Sequence, residues 1–239
     1  MVVEAEKQAD VEVVDLDQTS LRELNQRLHD LDRDDPDPRR WRVVNPNGAH
    51  AVACGLDAPI ELEILGHAGY YCAGMNKRAS VRVRGNVSTG VAENIMSGSV
   101  VVEGTAGQSA GATGRGGLLV VHGDAGARCG ISMKGVDIVV RGSIGHLSGF
   151  MAQRGCLVVC GDAGEALGDS IYETHIYVRG DVAGLGADCI EKELRDNHVA
   201  ELGALLELAG FDDVDSAGFR RFGSARELYN FKIDNAGAY

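Results

Sequence analysis

Proline is nearly absent from this sequence, at 4 of 239 residues, and aromatic residues supply only 5%. So little proline excludes collagen-like and proline-rich linker architectures. So few rings leave the core to be built from Val, Ile, Leu and Ala. Positive charge is short as well: 23 Lys and Arg stand against 35 Asp and Glu, a net charge of −12. A chain so charged repels phosphate backbones and anionic headgroups, which argues against nucleic-acid and membrane partners. No apolar run approaches the ~18–20 residues of a membrane span. The first seventeen residues, MVVEAEKQADVEVVDLD, are acidic and lack the basic-then-apolar build of a signal peptide, so the expected location is cytoplasmic.

The six cysteines (Cys54, Cys72, Cys129, Cys156, Cys160, Cys189) contain no CxxC, and the seven histidines form no HxxxH or HExxH pair. Linear spacing therefore gives no disulfide scaffold and no metal site, and the thiols are expected to be buried or half-buried apolar fillers.

Glycine is what the sequence has in excess: 33 of 239 residues, about twice the ordinary ~7%. Twenty-six of them fall between Gly66 and Gly186, and steps of nineteen from Gly66 land on Gly85, Gly104, Gly123, Gly142, Gly161 and Gly180. The flanking columns keep their character. Four residues before each glycine lie Leu62, Val81, Val100, Leu119, Ile138, Leu157 and Ile176; two before it lie Ile64, Val83, Val102, Val121, Val140, Val159 and Val178. Two aliphatic columns at spacing two mark a short strand with one face always buried. Two, three and seven residues after the glycine the columns are mostly Gly, Ala or Ser, as a chain needs when it bends sharply and stacks on an identical bend. A nineteen-residue unit cannot bury its own face, so the units must stack. The expected fold is an all-β, right-handed parallel β-helix of about seven coils over residues 60–190, roughly 30 Å long at the ordinary strand spacing. Nineteen does not divide into the six-residue subrepeats of the left-handed form.

The flanks differ. Residues 1–59 read as an N-terminal strand and helix arm with a linker: Val11–Leu16 alternates like a strand, and Ser20–Glu23 is a capping box opening a helix with Leu21, Leu24, Leu28 and Leu31 on one face. Residues 191–239 read as a C-terminal helical cap, with a helix through Val199, Leu202, Leu205 and Leu206 that stops at Gly210 and a last short helix opening at Ser224. Both ends are expected to cover the terminal coils, whose strand edges would otherwise be unpaired.

Candidate chemistry is sparse. Gly111–Gly117 (GATGRGG) has the look of a phosphate loop but lacks the Lys-Ser/Thr of a P-loop, and Gly111 belongs to a repeated column, so it reads as a turn of the solenoid. The column directly before the glycines, with Arg84, Glu103, His122, Arg141 and Arg179, reads as an outward charge ladder. Three segments, Gly69–Lys77, Ala92–Met96 and Gly130–Lys134, share one part of the coil. Exposed Tyr and Met there would suit a protein interface, and the candidate contact residues are Tyr70, Tyr71, Met75, Asn76, Lys77, Met96, Met133 and Lys134.

The G-x-x-G run resembles the C-terminal GXGXG domain of glutamate synthase large subunits, and more distantly the C subunit of formylmethanofuran dehydrogenase. The segments GHAGYYCAGMNK, AENIMSG, QSAGATGRGGLLVV, RCGISMKGVDIVVRG and GDAGEALGDSIYE and the ending YNFKIDNAGAY resemble the small β-helix subunit of N-methylglutamate synthase, from Trp41 onward. The resemblance implies a heteromeric complex that makes N-methylglutamate and ammonia from glutamate and methylamine. It also implies two partners: a glutamine amidotransferase-like subunit, and a glutamate-synthase-like subunit carrying FMN and an iron–sulfur cluster. An amidotransferase of that class needs an N-terminal cysteine, whereas position 2 is Val2 and the first cysteine is Cys54; cysteines grouped for a cluster are lacking too. No catalytic, cofactor-binding or metal-binding residue is therefore expected in this chain. The alternatives are the equivalent subunit of a glutamate synthase or formylmethanofuran dehydrogenase-type complex, and a free-standing carbohydrate-active β-helix. Coil length, the lack of a secretion signal and the few aromatic sugar platforms disfavour the last.

Overall fold

The computed structural model describes residues 11–35 and 39–226. Nine parallel strands follow one another in a single sheet: β1 (Val11–Asp15), β2 (Arg40–Val44), β3 (Glu61–Leu65), β4 (Ser80–Val83), β5 (Ser99–Val102), β6 (Leu118–Val121), β7 (Asp137–Val140), β8 (Cys156–Val159) and β9 (His175–Val178). From β3 to β9 the register advances by nineteen residues per coil: Leu62 faces Val81, Val81 faces Val100, and so on to Leu157 facing Ile176. A second, narrower ladder runs down another side through Ala68, Val87, Ala106, Ala125, Ile144, Ala163 and Val182. The chain is a parallel β-helix of about seven regular coils, as the repeat requires.

The two aliphatic columns fill its interior. Val102, Val121, Val140 and Val159 are fully buried, as are Val100, Leu119, Ile138 and Leu157. The glycine column has a different cause from the turns. From Gly104 to Gly180 each repeat glycine donates its N–H to the carbonyl of the glycine one coil earlier, at 2.9–3.1 Å. A Cβ on any of Gly85, Gly104, Gly123, Gly142, Gly161 or Gly180 would stand 2.6–2.8 Å from that same carbonyl oxygen. The column is glycine because backbone stacks on backbone. Seven residues further on the need is conformational: Ala73, Ala92, Gly111, Gly130, Gly149 and Gly168 all have φ between +52° and +69°.

Both ends are covered by the chain itself. Between β1 and β2 stands α1 (Leu21–His29), whose N-cap Ser20 accepts from the Glu23 N–H. Leu24 and Leu28 are buried against the first coil, and Asn25 bridges its corner, donating to the Ala51 carbonyl and accepting from the Ala53 N–H. At the other end β10 (Cys189–Lys192) and β11 (Arg220–Ser224) form an antiparallel pair, and β11 adds to β9, closing that sheet edge.

The helix α2 (Asp196–Leu208) does not sit over the last coil. It lies on the outer face of the sheet, where Leu202, Leu205, Leu206, Phe211 and Phe219 bury Val120, Val139, Val158 and Tyr177 in a second core. Val199 is on the open side of this helix, and Gly210 follows it with φ +73° as the expected stop. The helix expected from Ser224 does not begin there. Ser224 ends β11, its hydroxyl donates to Asp188, and Arg226 has φ +61°, which no first helical turn accepts. The ending YNFKIDNAGAY lies outside the described residues.

Candidate functional site

The outer face of the sheet is divided along its length. On β2–β5 it carries charge: Arg40 pairs with Glu61 at 2.9 Å, Arg42 with Glu63 at 2.8 Å, Arg84 with Glu63 at 2.8 Å, Arg82 with Glu103 at 3.1 Å, and Arg84 also pairs with Glu103. Parallel coils set opposite charges about 4.8 Å apart, which makes the expected ladder. The Arg84 guanidinium beside Glu63 holds that carboxyl below the ordinary range. Further along, the same column meets the C-terminal segment. His122 stands edge-on to Phe211 at 5.1 Å, and Arg141 lies over the Phe211 ring while pairing with Asp213 at 2.5 Å.

Where α2 crosses β8 and β9, polar groups gather. Asp137, Cys156 and His175 open three successive strands five residues before their glycines, so they form one row across the coils; Cys156 and His175 are direct register partners. Helix α2 brings Glu201 and, one turn earlier, His198 over this row. His175 Nδ1 is 2.8 Å from Glu201 Oε2, and the Tyr177 hydroxyl donates to the same oxygen at 2.5 Å. The His198 ring stands edge-on to His175 at 5.3 Å, and Asp137 Oδ1 accepts from the Cys156 N–H. Donor atoms of Cys156, His175 and Glu201 all lie within 4.8 Å of one another. Burial pushes Glu201 upward, but the hydrogen bonds from Tyr177 and His175 outweigh it and leave the carboxyl below its ordinary value. Burial, then the charges of Glu201 and Asp137, push the Cys156 thiol far up. A thiol held neutral is a poor nucleophile, so this Cys–His–Glu group is not arranged as an activated attacking sulfur. Sequence spacing missed it because its members are 19 and 26 residues apart; the signal was the shared column of Asp137, Cys156 and His175.

The other thiols are similarly subdued. Burial pushes Cys72, Cys129 and Cys189 up to about 12 and Cys160 up to about 11. All six cysteines are free. In Gly111–Arg115 every backbone N–H donates to a carbonyl of the coil stack, so these five donors are committed to the solenoid and the stretch is a turn of it, as expected.

The interface candidates divide. Tyr70, Tyr71, Met75 and Met96 are 46–48% exposed, unusually so for residues this apolar. They are held rigidly: Tyr70 stacks flat on His50 at 4.4 Å, and the N–H groups of Tyr71 and Met75 donate to Thr89 and Glu93 on the next coil. Lys134 is exposed, and Lys77 is half-buried with its ammonium 3.4 Å from Asp57. Asn76 and Met133 are corrections: both are fully buried and unavailable to a partner. They occupy the inward column shared with Ile95, Ala152 and Ile171, where Asn76 donates to the carbonyls of Ala79 and Ser97. Met151, 40% exposed, belongs with the exposed group.

Among the described residues no helix is long and apolar enough to cross a membrane. The chain is 59% identical over 227 residues to Protein GlxC of Rhizobium meliloti (strain 1021), across 95% of this chain and 99% of that protein. No family model and no solved structure matches the chain.

Proposed function

The chain belongs to the same family as Protein GlxC, and from that premise we propose that it is a β-helix scaffold subunit of a glutamate-synthase-like heteromeric complex, an N-methylglutamate synthase. The complex would join glutamate and methylamine, releasing ammonia, with the nitrogen chemistry on an amidotransferase-like partner and the FMN and iron–sulfur cluster on a second partner. This chain supplies placement. A β-helix is stiff because every coil is bonded to two neighbours, and holding two active sites in fixed relation is itself a large rate factor when an intermediate must pass between them.

The observation that carries the reading is the ordered, exposed corner of Tyr70, Tyr71, Met75 and Met96. Tyr and Met are the residue types enriched at interfaces, and here their backbones are pinned into the coil stack, so little entropy is lost on docking. The suppressed thiols support a non-catalytic role, since none is prepared to attack.

The test is reconstitution. The chain is purified with an amidotransferase-like and a flavin-carrying partner chain, and N-methylglutamate formation from glutamate and methylamine is followed with each chain omitted in turn. The expected result is that omitting this chain abolishes both product formation and co-elution of the other two. An active complex of the two partners alone, or turnover by this chain alone, would overturn the reading.

A further inference from the structure

The row under α2 carries a second proposal, independent of the complex. Cys156, His175 and Glu201 come from three separate elements, β8, β9 and α2, and converge on one partly buried spot. Their donor set, one sulfur, one imidazole nitrogen and one carboxylate oxygen, is the mixed borderline set that zinc selects over hard cations. Bond lengths of ~2.0–2.3 Å to such ligands place donors roughly 3.3–3.7 Å apart around a tetrahedral ion. The three donors here already lie within 4.8 Å of one another, and His175 and Glu201 are closer still at 2.8 Å. Outer partners that would orient the ligands are in place: Tyr177 donates to Glu201, and Asp137 accepts from the Cys156 backbone.

We propose that Cys156, His175 and Glu201 bind a zinc-class divalent cation that ties α2 to the outer face of the sheet. Imidazole and phenol already converge on Glu201 Oε2. Binding exchanges the Cys156 thiol proton for the metal and releases it to solvent, while neutral His175 coordinates through the ring nitrogen that carries no proton and keeps its N–H on the other; no oxidation state changes. Three protein ligands leave the fourth position to water, and the consequence is a cross-link between helix and sheet. Without metal, the helix is held by its apolar face, Leu202, Leu205 and Leu206 among it, and by these hydrogen bonds; with metal, it is also cross-linked to two coils.

The test uses the full chain, stripped with a chelator and titrated with Co²⁺ or Zn²⁺ alone. The expected result is one Co²⁺ per chain with a sulfur-to-cobalt charge-transfer absorption. Cys156→Ala abolishes that absorption, Cys54→Ser retains it, and His175→Gln or Glu201→Gln weakens binding at least tenfold. Zn²⁺ raises the unfolding temperature of the parent chain and raises that of His175→Gln by less at the same concentration. Each variant is checked for the parent's β-sheet circular dichroism, and Glu201→Gln, on the half-exposed helix face, keeps the test open should Cys156→Ala unfold. No uptake by the parent, an absorption that survives Cys156→Ala, or one that disappears with Cys54→Ser would each overturn the proposal.

Discussion

Two glycines should respond in opposite directions to the same substitution. At Gly161 an added Cβ would stand 2.6 Å from the Gly142 carbonyl carbon, 2.7 Å from its oxygen and 2.6 Å from Ser143 Oγ. Two of those atoms are backbone, and the Gly161 N–H is already bonded to that same oxygen at 3.0 Å. The coils can separate only by stretching the ladder on both sides, so Gly161→Ala should cost about 1–3 kcal/mol, the usual penalty of overpacking a rigid site. At Gly203, in the middle of α2, a Cβ would meet nothing within 4 Å. There the only term is helix propensity, and Gly203→Ala should gain about 1 kcal/mol. In a chain of this length 1 kcal/mol moves the unfolding temperature by roughly 2–4 °C. Gly161→Ala should therefore melt about 2–12 °C lower and Gly203→Ala about 2–4 °C higher, followed by circular dichroism of the purified chain. If Gly161→Ala melted with the parent, the glycine column would not be set by backbone stacking, and its explanation here would fail.

Two further outcomes follow from burial and charge. Val140 is fully buried between Val121 and Val159, so Val140→Asp should strand a carboxylate in the core, cost several kcal/mol and leave a chain that binds apolar dyes; a soluble, native-like variant by circular dichroism and proteolysis would contradict the register. The α2 cover should loosen in mild acid. Burial holds His122 and His198 below the ordinary histidine value, against the upward pull of Glu103 on His122 and with the help of Arg221 at His198, so the unfolded chain binds more protons as pH falls below ~6.5. Their stabilisation is complete above that pH and is lost as pH drops toward the folded values. The urea midpoint should fall between pH 7.5 and 5.5, and fall less in His198→Gln; an equal fall in both would refute the assignment.

The coil was legible because one interval governs everything in it. Leu62, Val81 and Val100 share a column only at a period of nineteen, and the structure keeps that register from β3 to β9. The same period places Asn76 and Met133 inside, since Ile95 and Ile171 occupy their column; phase, not residue type, decides burial there. The outward column of Val101, Val120, Val139, Val158 and Tyr177 was also on view as an apolar run needing a cover, and α2 is that cover. Elements off the period were not legible. β2 joins β3 after a step of twenty-one, with Trp41 facing Leu62, and β11 reaches β9 in the antiparallel sense, Arg220 facing Val178 and Phe222 facing Ile176. The Cys156–His175–Glu201 group combines a column with a helix laid across it, and no linear spacing encodes such a crossing.

The scaffold reading meets its most direct test in one surface variant. Tyr71 and Met75 have φ +58° and +57°, which asparagine tolerates, so Tyr71→Asn/Met75→Asn with Met96→Ser removes the apolar corner without straining the turn. All three side chains are about half exposed, and each change should alter stability by no more than about 0.5 kcal/mol. The measurement is product formation per mole of assembled complex, with assembly itself read by size-exclusion chromatography of the co-expressed chains. Assembly should weaken while turnover per assembled complex stays unchanged. A variant that assembles fully and yet loses the chemical step would put this chain inside an active site and contradict the scaffold role.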